Sequence, residues 1–201
     1  MPATEDEIQA RYLDRAIREI NELAREVQGC AGCPRGPLAP VLPSGHPQAD
    51  VMLVKYGPAR SEIEEGVAFY GRAGNALLRS LRRLDIDPLT VYGTLCVKCP
   101  LAEPPPLERT CFARLAEEIA IVSPKIVVVM GEPALAAINR LPLPGRRPLD
   151  PREGEIQQLT PLIDALYVPD IDRCLDRRED KQRFWNAFRR LGGWYAAQPP
   201  Y

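Results

Sequence analysis

Four of the six cysteines in this chain fall into two Cys-x-x-Cys pairs, Cys30/Cys33 and Cys96/Cys99. Two thiols at that spacing grip one metal centre from a single turn, so two such pairs tie distant stretches of chain to a shared point. Cys111 follows shortly after, and Cys174 stands alone. Grouped cysteines bind metal in a reducing compartment and pair as disulfides in an oxidising one. The first residues, MPATEDEIQARYLDRAIREI, are charged and helical in pattern, with no apolar signal core. No run of ~20 apolar residues is present, so no membrane partner is expected. The expectation is a cytoplasmic protein whose cysteines hold metal.

With 201 residues and 45% hydrophobic content, the chain suits one compact domain with appended arms. A net charge of −1 excludes a globally basic nucleic-acid binder. A nucleic-acid partner would have to meet a local patch. The candidates are Arg79, Arg82 and Arg83; Arg146 and Arg147; and Arg173, Arg177 and Arg178.

Apolar residues at helical spacing predict a helix over 5–28, ended by Gly29 beside the first cysteine pair. Pro- and Gly-rich residues 34–47 read as a connector. Strands are predicted at 49–56, 91–98, 125–131 and 164–169, and helices at 72–84, 107–122, after Gly131, and 178–194; 101–106 reads as a loop. Strands alternating with helices predict a three-layer α/β/α sandwich around a central, mostly parallel four-stranded sheet. Continuous apolar strands such as Val127–Met130 fit burial on both faces. The domain reading is an N-terminal helix over 1–28, a main domain over 29–194 and a tail over 195–201. Nothing requires more than a monomer. Phe184, Trp185, Phe188 and Leu191 read as core positions of the closing helix.

Ligands of such sheets bind outside the carboxyl ends of the strands. Those ends carry Lys55 to Ala59, Cys99-Pro100, Gly131 to Pro133, and Val168 to Asp170. For the metal, spacing alone suggests a tetrahedral zinc on Cys30, Cys33, Cys96 and Cys99. In an extended strand, however, Cys96 and Cys99 point to opposite faces. Cys30, Cys33, Cys99 and Cys111 form a second possible quartet, with Cys96 a core thiol, and four thiolates also suit a 4Fe-4S cluster.

Several motifs then occur in a specific order: Cys30-Ala-Gly-Cys33, Gly71-Arg-Ala-Gly74-Asn-Ala-Leu-Leu78, Val91-Tyr-Gly-Thr94, Val97-Lys-Cys99-Pro100 and Pro124-Lys-Ile-Val-Val-Val-Met-Gly131. Together they resemble the iron–sulfur uracil-DNA glycosylases, the type-4 and type-5 branch of that superfamily, over roughly 28–190. The resemblance implies a three-layer α/β/α domain, a DNA partner, and a structural 4Fe-4S cluster on Cys30, Cys33, Cys99 and Cys111. It also implies a pocket that receives a flipped base, stacks it on an aromatic ring and stabilises its anion as the glycosidic bond breaks.

On that resemblance the base-binding positions are Tyr56, Gly57, Pro58, Phe69, Leu95 and Val168. The family's first loop reads Gly-Glu-Ala-Pro-Gly; here it reads Lys55-Tyr56-Gly57-Pro58-Ala59. Leu95 stands where the family carries an asparagine, and Val168-Pro169-Asp170 where it carries His-Pro-Ser. The one histidine, His46, lies in the connector and reads as a turn residue. Catalysis, if retained, falls to Glu62 and Asp170, with Glu64 and Asp172 nearby. DNA contacts fall to Arg72, Arg173, Arg177 and Arg178. The readings are a divergent glycosylase, a DNA-binding member without catalysis, and a zinc-stabilised α/β protein of other function.

Overall fold

Five-residue apolar segments form the centre of the protein because each buries both faces and must satisfy every backbone group by pairing. The computed structural model describes residues 4–32, 37–100 and 110–199. Four parallel strands lie in the spatial order β3 (Val91–Leu95), β2 (Val51–Lys55), β4 (Ile126–Met130) and β6 (Ile163–Val168). Register is continuous, with Lys55 opposite both Leu95 and Met130, and Met130 opposite Val168. The strand ends that carry chemistry therefore line up along one edge.

Two further strands correct the four-stranded expectation. The short β1 (Ser44–Gly45) pairs antiparallel with β3, and β5 (Ile156–Thr160) pairs antiparallel with β6, giving six strands among the described residues. Neither has the continuous apolar pattern of the centre. They cover the outer backbone groups of the parallel strands, which would otherwise be open edges.

Alternation along the strands sorts the core into two layers. Met52, Val54, Tyr92, Val127, Val129 and Tyr167 face one side with Leu115 and Ile119 of α4 (Thr110–Val122). α5 (Glu132–Ile138) and α1 (Glu5–Gly29) complete that layer. Val51, Leu53, Val128, Leu166 and Val168 face the other side. There they meet α3 (Arg72–Arg82), α6 (Arg178–Phe188) and α7 (Arg190–Ala196). The helix predicted over 178–194 is thus two helices, with Gly192 and Gly193 weakening it beyond the break at Arg189. Tyr195 and Ala196, at the start of the expected tail, are helical. The predicted 101–106 loop and residues 107–109 of the predicted helix lie outside the described residues. No helix among those described is long and apolar enough to cross a membrane.

The exit of β3 is fixed by a buried polar network. Glu118 of α4 accepts from Thr94 Oγ1 at 2.7 Å and from Lys98 Nζ at 3.1 Å. Lys98 Nζ also donates to the Leu95 carbonyl at 2.9 Å. Both charged groups are about 1% exposed. Such a pair is retained for geometry more than for net stability, but breaking it strands a buried charge. Replacing Lys98 by Met should therefore destabilise the protein by about 3–5 kcal/mol, read from denaturant unfolding, whereas the double change Lys98→Met, Glu118→Leu should recover much of the loss.

Candidate active site

The carboxyl edge of the sheet is organised by Lys55, the last residue of β2. Its side chain is 2% exposed, and Nζ lies 2.6 Å from Glu62 Oε2 and 2.6 Å from Asp172 Oδ2. Glu62 sits in α2 (Arg60–Glu65), and Asp172 lies in the loop after β6. One ammonium thus joins three chain segments that meet only in the tertiary structure. The Lys55 ammonium also lies 5.7 Å from the centroid of the Phe69 ring, within reach of a cation–π attraction.

Phe69 adopts a left-handed backbone conformation, with φ at 60°. A bulky residue holds that strained geometry only where its surroundings enforce it. Here the Phe69 N–H donates to Glu62 Oε1 at 2.5 Å. Gly74 and Gly93 supply the space: a Cβ on Gly74 would overlap the Phe69 carbonyl oxygen at 1.6 Å, and one on Gly93 would meet the ring at 2.5 Å. Gly93 thus makes room for the ring, and Gly74 for the backbone of Phe69. Glu62 also accepts the Ala59 N–H at 2.6 Å, at the start of α2. A wholly buried carboxylate engaged by two backbone donors and an ammonium acts as a clamp. The catalytic role expected of Glu62 does not suit these contacts.

Asp170 is differently placed. Its Oδ1 accepts the Asp172 N–H at 3.0 Å, and Arg173 Nε is 3.6 Å from Oδ2. Burial raises its pKa above the ordinary carboxylate range, the Asp172 N–H partly opposing this. It lies against Gly131, where a Cβ would come 2.9 Å from its own. Asp170, Asp172, Lys55 and Phe69 thus form one connected group.

The other expected base-binding residues divide. Leu95 is buried in the small cluster against which Phe69 packs, so the position expected to read a base is apolar. Val168 is fully buried on the α3–α6 side of the sheet. Tyr56 packs on the opposite side, and its phenol pKa is raised by burial and then by the nearby Cys96 and Cys111 thiols. Gly57 and Pro58 are half-buried in the loop between β2 and α2. Arg72 is engaged, donating to Asp176 Oδ1 at 2.7 Å and to the Leu175 carbonyl at 2.5 Å. Arg173, Arg177 and Arg178 are exposed. His46 lies at the opposite edge of the sheet, where its N–H donates to the Val91 carbonyl at 3.0 Å and its Nδ1 accepts from the Gln48 N–H.

Cys96 is fully buried in the core, and burial pushes its thiol up to about 12. Cys99 is buried; Cys30 and Cys111 are half-buried, and Cys33 lies outside the described residues. Among the described residues, no three metal-binding side chains are grouped closely enough to hold an ion. The surroundings of Cys30 nevertheless suit an anionic centre. Arg114 of α4 lies against it and pairs with Glu26 at 2.6 Å, and the buried Arg114 Nε has no acceptor among the described residues.

The sequence places Lys55 at the functional edge without a role, and it gives Lys98 no role either. Their signal is a lysine at the end of an apolar strand, which demands a buried acid as partner. A Gly93→Ala substitution should push Phe69 out of its seat and lower stability by about 1–3 kcal/mol, measured by chemical unfolding, with a matching change in ring-proton shifts of Phe69.

The chain matches the uracil DNA glycosylase superfamily over residues 42–192. It is 31% identical over 123 residues to the "Type-4 uracil-DNA glycosylase" of Sulfurisphaera tokodaii, covering 56% of this chain and 54% of that protein. It is 32% identical over 129 residues to the "Type-4 uracil-DNA glycosylase" of Thermotoga maritima, covering 59% of this chain and 65% of that protein. The match thus spans less than two-thirds of either relative. With its parallel sheet, its seated phenylalanine and this match over most of its length, the chain belongs to the uracil-DNA glycosylase superfamily, and its relatives lie in the type-4 branch.

Proposed function

We propose that this protein binds DNA and hydrolyses the N-glycosidic bond of a flipped, deaminated or damaged base. The observation that carries this reading is the Lys55 ammonium beside the Phe69 ring. In glycosidic cleavage the base leaves as an anion, and the site must stabilise it in surroundings of low dielectric. Val168 removes the histidine expected in the last loop. Lys55 brings a positive charge to the same edge from another strand, next to the ring on which a base would stack. Asp170, with its raised pKa and with Oδ2 held only by a long 3.6 Å contact to the exposed Arg173, is the group suited to orient a water. Asp172 and Glu62 hold the lysine in place.

A second reading, DNA binding without catalysis, is favoured by one specific observation. The Lys55 charge is already matched by two carboxylates at 2.6 Å, so a base must displace part of that pairing to benefit from it. The readings separate on oligonucleotides carrying uracil, hypoxanthine, xanthine or ethenocytosine. Base excision should yield abasic product from at least one of them, and Lys55→Met should lower its rate by about 100-fold or more, the scale of one lost transition-state stabiliser. Binding with no abasic product at stoichiometric protein supports the second reading. If Asp170 orients the water in ionised form, the rate should rise with pH through a value above the ordinary carboxylate range, and Asp170→Asn should abolish that limb.

The same proposal places a structural 4Fe-4S cluster on Cys30, Cys33, Cys99 and Cys111. Four thiolates give such a cluster a net negative charge, and the Arg114 guanidinium beside Cys30 suits it. When bound, the cluster supplies cross-linking of chain segments and no step of the reaction. Freshly isolated protein should be brown and contain iron and acid-labile sulfide in equal amounts. Cys99→Ala should remove the colour, and Cys96→Ala should leave it; a colourless protein containing zinc would refute the assignment.

A further inference from the structure

A groove of about 330 Å³ lies between α3 and α6. Its floor is apolar, formed by Ile171, Leu175, Phe184 and Trp185. Its rim is cationic: Arg79 and Arg83 from α3, and Lys181 from α6. No carboxylate lines it, and none of the three cations has an acidic partner among the described residues. Some exposed arginines are paired with acids, as Arg183 is with Glu153 and Arg152 with Asp150. This trough instead gathers three cations around an apolar floor with no carboxylate in its lining.

Trp185 departs from the role expected of it in the sequence. Phe184 and Phe188 are buried, but Trp185 is half-buried, and the Arg83 guanidinium stacks 4.3 Å from its ring centroid. A stacked guanidinium and indole present a flat, polarisable surface suited to a nucleobase. The groove is also continuous with the carboxyl edge of the sheet. Arg72, Arg79 and Arg83 follow one another along one face of α3, spanning ~16 Å at 1.5 Å per residue. Arg177, the N-cap of the facing helix α6, precedes Lys181 of that helix by four residues. Leu175, in the groove floor, accepts a hydrogen bond from Arg72 at the mouth.

We propose that this groove binds a single-stranded DNA segment, with phosphates on Arg79, Arg83 and Lys181 and a base stacked on the Arg83–Trp185 pair. It would hold the strand leaving the candidate active site, outside the pocket in which a base is read. The choice of ligand rests on the DNA reading above, but the inference does not require base excision.

The test uses full-length protein and a uracil-free oligothymidylate, which separates this inference from catalysis. Titration should quench the fluorescence of Trp185, and the quench should vanish in Trp185→Phe while Trp194, held by Asp164 at 2.8 Å, keeps its emission. The logarithm of affinity should fall linearly with the logarithm of salt concentration. Combining Arg79→Ala, Arg83→Ala and Lys181→Ala should make that slope shallower by about 2, from ~0.7 per lost phosphate contact. The exposed pair Arg79→Glu and Lys181→Glu, which disturbs no packing, should weaken binding more strongly still. DNA binding that survives these changes with an unaltered slope would overturn the groove and leave the DNA reading standing. Equal or tighter binding of polyglutamate would overturn it in favour of an acidic polypeptide.

Discussion

The carboxyl edge of this protein depends on one buried ammonium. Lys55 ends a wholly buried strand, where an unpaired charge would cost several kcal/mol. Folding must therefore bring acids to it. Glu62 and Asp172 arrive from segments on either side of the sheet's centre, both at 2.6 Å. Glu62 in turn holds the Phe69 N–H and so fixes the ring in a strained conformation. The short helix α2, the aromatic seat and the loop after β6 are thus consequences of one desolvated cation.

A similar solution recurs at the exit of β3. Lys98 and Glu118 lock the strand to α4 and set where Cys99 and the first turn of α4 emerge. The two lysine networks stand near the ends of neighbouring parallel strands. One organises the edge where a base would be handled, the other the segments that carry cysteines. The division lets the family architecture hold independently of the residues at the expected base-binding positions. Leu95 and Val168 are apolar at positions where polar groups are expected, yet neither disturbs the clamps.

Much of the fold was legible in the sequence. Apolar runs located all four parallel strands to within one to three residues at each end, because two-sided burial leaves few polar choices. The edge strands escaped notice because β1 is two residues long and β5 reads as Ile-Gln-Gln-Leu-Thr. The site was legible in part. Motif position points to Phe69, Asp170 and Glu62, and the structure gathers all three around Lys55, with Glu62 engaged as a clamp. The stacking of Arg83 on Trp185 joins two helices about a hundred residues apart, which no local pattern reveals.

By itself the sequence determined the layered α/β class and the superfamily. These follow from local periodicity and from motifs whose spacing is read along the chain. Tertiary structure alone decided which acids neutralise Lys55, that Cys96 is a core thiol, and that three arginine and lysine side chains share an unpaired groove. Each of these is a long-range contact, set by how strands and helices pack and not by neighbours in sequence.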